Sequence, residues 1–185
     1  KEDLLVKYIP AWSQEIEAGL NDPEGYYHAI VTQAILLIYN QDTYDESTAP
    51  KDWPDLWNND MYSGKYNVFG LGGGTSKVVL SGIITRYADP SGEYGISEEG
   101  WKEIKKYFDN AHMQVEGEDW FGNVVDGSVP MSMIWSSGVS QFEKEYNAKV
   151  GVMSPEIGVP YVVEQAAIIN GSKNEDAAKA FVDWF

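Results

Sequence analysis

Hydrophobic positions along the chain fall into short extended runs separated by stretches of helical spacing. Residues 28–40 (HAIVTQAILLIYN) and 160–170 (PYVVEQAAIIN) are long, apolar and β-prone, and a mixed run of this kind predicts a strand covered on both faces. Shorter runs at 65–70 (KYNVFG), 129–135 (VPMSMIW) and 148–154 (AKVGVMS) read as further strands. Between them, 75–87 places Val78, Val79, Gly82, Ile83 and Arg86 on about one side of a helix. The segment 97–111 (SEEGWKEIKKYFDNA) has Ser97 as N-cap, Glu98 and Glu99 in the first turn, and Trp101, Ile104, Tyr107 and Phe108 at helical spacing. Its expected buried face carries Trp101, Ile104 and Phe108. Shorter helices are expected at 119–126, closed by Gly127, at 136–146, and after Asn174, which reads as a cap. A short helix and loop fill 10–27, and Trp53 and Leu56 have helical spacing behind Asp52, a further cap beside Pro54. Strands alternating with helices in this order predict an α/β fold with a mixed, mainly parallel sheet flanked by helices.

Composition narrows the function classes. With 185 residues and 43% hydrophobic content the chain can bury a core of its own. The formal net charge is −16, from 29 acidic and 13 basic residues, which excludes nucleic acid and anionic membrane surfaces as partners. There is no cysteine, so a disulfide framework, a thiolate nucleophile and Cys-ligated metal are excluded. The longest apolar run, 34–39, is far short of the roughly 20 residues that span a bilayer. No helix C-cap signal follows Phe185, and both ends read as cut from something longer.

Candidate chemistry sits at two strand-to-helix junctions. Residues 68–81 read VFGLGGGTSKVVLS. A glycine-bearing turn of this kind exposes backbone N–H groups at the positive end of a helix, a general anion site. Neither nucleotide signature fits: Gly74 is followed by Thr75-Ser76-Lys77, and counting from Gly70 the sixth place is Thr75. Gly73, Gly74, Thr75 and Ser76 are therefore candidate donors to an anion or hydroxyl, the bland alternative being a positive-φ turn with Thr75 or Ser76 as a cap. Trp135, Ser136, Ser137 and Gly138 form the second junction and add an aromatic wall. If the two strands are adjacent, both junctions open on one crevice at the C-terminal edge of the sheet. Glu164 interrupts YVVEQAAII, and a charge inside a β run is either turned to solvent or placed for a ligand. No catalytic set assembles: His28 and His112 lack triad or metal-ligand spacing, no serine lies in a Gly-x-Ser-x-Gly elbow, and no cofactor motif is present.

Four stretches, 22–40, 49–58 with 63–70, the GGGTSKVVLSGI junction, and 150–185, resemble the solute-binding proteins of ABC importers. The likeness is to the branch with a type II periplasmic-binding fold that includes ferric-ion, sugar-phosphate and phosphonate receptors. The resemblance implies two α/β lobes that catch a solute by hinge closure and deliver it to the permease subunits. It implies a non-enzyme, at the extracellular face of the membrane by a lipid anchor or in the periplasm, touching the membrane only through an N-terminal region outside this sequence. By the same likeness, residues 43–162 make the second lobe, 1–42 and 163–185 are pieces of the first, and the lobe crossings fall near 40–45 and 158–165. Ferric-ion members carry two adjacent tyrosines where this chain has Trp135-Ser136-Ser137, so a small anion such as a sugar phosphate or phosphonate is the expected solute. A ferric-ion or other metal receptor is the alternative, with an enzyme on a related frame behind it. The net charge opposes anion capture at long range, but salt screens it within about 8 Å.

Overall fold

The structure is a computed structural model that describes residues 3–185. Two long strands dominate it, β2 (Tyr27–Asn40) and β8 (Tyr161–Ile169). The chain divides into two compact units, one of residues up to Gln33 together with Val162–Phe185, the other Ala34–Tyr161. The second unit therefore begins at Ala34 rather than at 43, because residues 35–40 of β2 are already paired within it.

In the first unit, β1 (Leu5–Val6) pairs antiparallel with β8 through Leu5 opposite Ile169 and Val6 opposite Ile168. A 3-10 turn at Ala11–Glu15 and helix α6 (Glu175–Trp184) are tied together where the Trp12 indole donates to the Val182 carbonyl at 2.7 Å. His28 is buried and bonded through Nε2 to the Tyr8 carbonyl oxygen at 2.7 Å, a structural role. Asn174 occupies the cap position of α6 but makes no side-chain capping bond.

The second unit is a mixed sheet with helices on both faces. Strand β6 (Met131–Trp135) pairs antiparallel with β2 and parallel with β3 (Tyr66–Val68), which pairs parallel with β5 (His112–Met113). Strand β7 (Val150–Val152) lies antiparallel on β2. The side-chain period of two sorts these strands into two cores. Leu37, Tyr39, Tyr66, Val68, Met131 and Met133 face α1 (Asp55–Asn58), α2 (Gly74–Thr85) and α3 (Glu98–Asp109). Ile38, Ile134 and Val150 face α4 (Trp120–Asp126) and α5 (Gly138–Glu145). Each fully buried Leu or Ile here contributes about 1.5–3 kcal/mol relative to an exposed one.

Helix α3 shows where hydrophobic pattern and packing part company. Ser97 caps it as expected, its oxygen accepting from the Gly100 N–H. Its buried stripe, however, is Gly100, Glu103, Ile104 and Tyr107, and Phe108 is only partly buried. Trp101 is 38% exposed. Gly100 is the closest approach, since an added Cβ would sit 2.5 Å from Tyr87 Cβ. Trp101, about 100° further round the helix, instead stands edge-on to Tyr94 at 6.3 Å and donates to the Glu93 carbonyl. Glu103 is buried among Trp57, Asn58 and Lys106; burial pushes its carboxyl up, and the bonds from those three outweigh it and hold it below its ordinary value. Asp52 is not the cap of α1: its carboxylate takes the Arg86 guanidinium as a two-pronged pair, both contacts 2.6 Å.

Candidate ligand-binding edge

The parallel strands β6, β3 and β5 end at one edge of the sheet, in register through Tyr66 with Met131 and through Asn67 with both Ser132 and His112. Each is followed by a helix, α5, α2 and α4 in turn. The two junctions singled out in the sequence therefore open on the same edge, from neighbouring strands.

They differ from the third junction in how the helix begins. At α4, Asp119 caps the first turn by accepting from the Gly122 N–H at 3.0 Å, so this positive end already holds a carboxylate. The same carboxylate accepts from Tyr146, whose phenol is pushed up to about 12 by that bond. At α2 the cap position is Gly73 and at α5 it is Ser137, and neither gives a side-chain cap bond. The first-turn N–H groups of a helix have no partner inside it, and at these two starts no side chain at the cap position answers them; the Gly73 N–H itself donates to the Gly70 carbonyl at 3.2 Å.

The glycine cluster is not demanded by the fold. None of Gly70, Gly72, Gly73 and Gly74 has a positive φ. A Cβ added at Gly70, Gly72 or Gly74 would meet nothing within 4 Å, and one at Gly73 only the Gly70 carbonyl oxygen at 3.9 Å. Four exposed glycines that need neither special backbone angles nor internal space leave room for something outside the chain to reach the backbone.

The candidate side chains take different roles. Ser76 is buried and its hydroxyl donates to the Phe69 carbonyl at 2.7 Å, which fixes the first turn of α2 to the end of β3. Thr75 is half-buried and Lys77 exposed. Ser136 ties the end of β6 to β2, its N–H donating to the Ala34 carbonyl and its hydroxyl accepting from the Ala34 N–H. Ser137 stands at the α5 cap position and Gly138 opens that helix. Trp135 is 36% exposed, and a Cβ on Gly138 would sit 2.9 Å from its indole nitrogen, so the ring's N–H lies against the start of α5. Glu164 is an exposed residue of β8, in the first unit.

Other residues at the edge carry no motif and become visible only in three dimensions. Phe69, Trp120, Phe142 and Trp135 form a chain of ring contacts, with centroids 5.4, 5.1 and 6.1 Å apart. Behind Trp120, Glu118 accepts from the Val115 N–H, from Asn123, and pairs with His112 at 2.7 Å. These contacts, the Val115 N–H foremost, hold its carboxyl below the ordinary range. His112 thus belongs to a buttress of the loop before α4. The strand register was the missing signal, because it alone brings His112 beside Asn67.

Among the described residues no group of three or more His, Cys, Asp or Glu side chains could hold a metal ion. The backbone N–H groups at a helix start complement negative charge.

Comparison with known proteins places the chain. The sequence profile of the bacterial extracellular solute-binding protein family matches residues 2–185. The probable ABC transporter periplasmic-binding protein y4fP of Sinorhizobium fredii is 32% identical over 185 residues, which are 100% of this chain and 51% of that protein. Iron-bound HitA from Pseudomonas aeruginosa superposes with a TM-score of 0.76 at 20% identity, over 98% of this chain and 57% of HitA. The ferric binding protein from Campylobacter jejuni gives 0.72 at 22% identity, over 98% of this chain and 58% of that one. These likenesses show the type II periplasmic-binding fold, and the chain spans about half the length of the curated relative it matches. The chain belongs to the bacterial extracellular solute-binding protein family.

Proposed function

We propose that this chain is part of the receptor of an ABC importer, and that its second unit binds a small anionic solute, a sugar phosphate or phosphonate, at the edge where α2 and α5 begin. The observation that carries the reading is the glycine turn, exposed and sterically unconstrained from within, beside two uncapped helix starts. An anionic oxygen there accepts from N–H groups of Gly74 and Thr75 on one side and of Gly138 and its neighbour on the other. The Thr75 hydroxyl and the Trp135 indole N–H add donors, and the ring chain from Trp135 to Phe69 offers an apolar face to the rest of the solute. Family membership and the likeness to an ABC transporter periplasmic-binding protein support delivery of the solute to permease subunits.

A ferric-ion receptor is the second reading, favoured by the likeness in fold to iron-bound HitA and to the Campylobacter ferric binding protein. It needs anionic or phenolate ligands, whereas Trp135-Ser136-Ser137 and the glycine turn present donors. Titration calorimetry of the full-length protein decides between the two. Binding of inorganic phosphate, methylphosphonate or glycerol 3-phosphate, with no response to Fe(III) citrate beyond that of citrate alone, is the expected outcome. Saturable binding of Fe(III) with none of the phosphorus compounds overturns the proposal.

A further inference from the structure

The connection from β8 to α6 reads Asn170-Gly171-Ser172, and no other asparagine of the sequence is followed by glycine. All three residues are exposed. The Ser172 N–H donates to the Ile169 carbonyl at 3.3 Å, so Asn170 and Gly171 are the two central residues of a β-turn. Gly171 has a φ of +77°, whereas that of Asn170 is not positive. This is the pattern of a type II turn, which needs a positive φ at its second central place and favours glycine there. On the far side, the Ser172 hydroxyl accepts from the Asn174 N–H at 3.2 Å and fixes the turn to the start of α6.

Asn170 also pins the start of the chain. Its backbone N–H donates to the Leu4 carbonyl and its side-chain Nδ2 to the Asp3 carbonyl, both at 2.8 Å. These two bonds extend the short ladder in which Leu5 faces Ile169 and Val6 faces Ile168. The Gly171 N–H, by contrast, donates to no acceptor among the described residues. Its nitrogen is therefore an unengaged amide in an exposed turn, on a residue with no Cβ to shield it. Bonding that nitrogen to Asn170 Cγ would close a ring through the Asn170 carbonyl carbon, Cα and Cβ, which is the unstrained five-membered size.

We propose that Asn170-Gly171 is a site of spontaneous covalent modification, deamidation through a cyclic imide with water as co-reactant, and that the change unpins β1. Loss of the Gly171 amide proton to solvent lets its nitrogen attack Asn170 Cγ. The N–Cγ bond forms as Cγ–Nδ2 breaks, and Nδ2 leaves as ammonia. Water then opens the ring on either side. Cleavage at Cγ gives aspartate on an unchanged backbone, and cleavage at the Asn170 carbonyl carbon gives isoaspartate, with the chain running through Cγ. In sum, water is consumed, ammonia is released, and nothing is oxidised or reduced. Either product puts a carboxylate, which is an acceptor only, where the Nδ2 donor stood against the Asp3 carbonyl oxygen. A donor–acceptor pair becomes two acceptors, and the start of β1 loses its hold. The site is independent of the anion reading, because all of these residues belong to the first unit.

The test incubates the folded full-length protein in mildly alkaline buffer made with 18O-labelled water and follows the peptide that contains residue 170 by mass spectrometry. The expected result is first-order conversion at Asn170 into both aspartate and isoaspartate, each carrying heavy oxygen from the solvent, while the other asparagines stay intact. Asn170→Gln keeps an amide donor but would have to close a six-membered ring, and it should stop conversion at this position. Hydrogen exchange reads the consequence: the Asn170→Asp variant and the aged parent should both lose protection in β1, as a fraying segment does, with protection in β6 unchanged. Asn170 intact when other asparagines have begun to convert overturns the proposal, and so does conversion that yields aspartate without isoaspartate, which would bypass the imide. Protection of β1 in the aged parent equal to that in the fresh protein overturns the unpinning.

Discussion

Replacing Gly74 by Ala separates a turn that serves the fold from a turn that serves a ligand. Gly74 is the first residue of α2, its φ is not positive, and an added Cβ meets nothing within 4 Å. Alanine is therefore compatible with the folded backbone, and it restricts the unfolded chain. Substitutions of this kind stabilise by about 0.4–1 kcal/mol. For a chain of this size, that is a rise in Tm of roughly 1–4 °C. Binding should move the other way. The new methyl group occupies space beside the N–H groups that the anion uses, and losing one hydrogen bond to a charged group costs about 1.5–3 kcal/mol, or roughly 10- to 150-fold in Kd. Thermal unfolding without ligand and calorimetry with glycerol 3-phosphate measure the two effects on one preparation. A variant that is destabilised, or that is stabilised and binds as tightly as the parent, would refute the reasoning.

Thr75→Ala and Ser76→Ala should part in the same two assays. The first weakens binding by about 1–3 kcal/mol with little change in stability, whereas the second lowers stability by about 1–3 kcal/mol because the Phe69 carbonyl loses its donor; equal behaviour of the two contradicts the assignment. In α3, Ile104→Ala should cost about 2–5 kcal/mol in urea unfolding and Trp101→Ala well under half of that, since Ile104 is buried and Trp101 is not. The Arg86 guanidinium holds the Asp52 carboxyl below its ordinary value. A depressed folded-state value means that the stabilisation is complete above the ordinary value of about 3.9 and is lost as pH falls through the lower, folded-state one. Acid titration of unfolding free energy should show the parent's advantage over Asp52→Asn constant near neutral pH and shrinking below about pH 4. The size should be no more than about 1 kcal/mol, because the aspartate is partly exposed; an advantage that grows in acid contradicts the pairing.

The alternation of apolar runs made much of the architecture legible, because strand and helix periods differ and both cores are sorted by them. All the expected strands formed, as did the caps at Ser97 and Gly127. What the pattern could not show was which residue marks a helix's closest approach. In α3 that residue is Gly100, which has no side chain to register in a hydrophobic pattern, and the buried stripe turned away from Trp101 accordingly. The same limit applies at the edge. Gly73–Ser76 and Trp135–Gly138 were readable as junctions, but their nearness depends on the parallel pairing of β3 with β6. The structural bond of Ser76 was equally invisible, since Ser76 and Thr75 are both small hydroxyl residues at a helix start and only the position of the Phe69 carbonyl tells them apart. Asp52 illustrates the reverse case: local spacing made it a cap, and a distant arginine claimed it.

The most direct measurement is a titration of the 15N-labelled full-length protein with glycerol 3-phosphate, followed through its backbone amide resonances. The expected result is saturable downfield shifts of Gly74 and Thr75 together with Gly138 and Val139, all with one dissociation constant, as hydrogen bonds form from two helix starts to one anionic group. Saturation with these four amides unmoved, or with only one of the two junctions responding, would contradict a shared anion site at this edge.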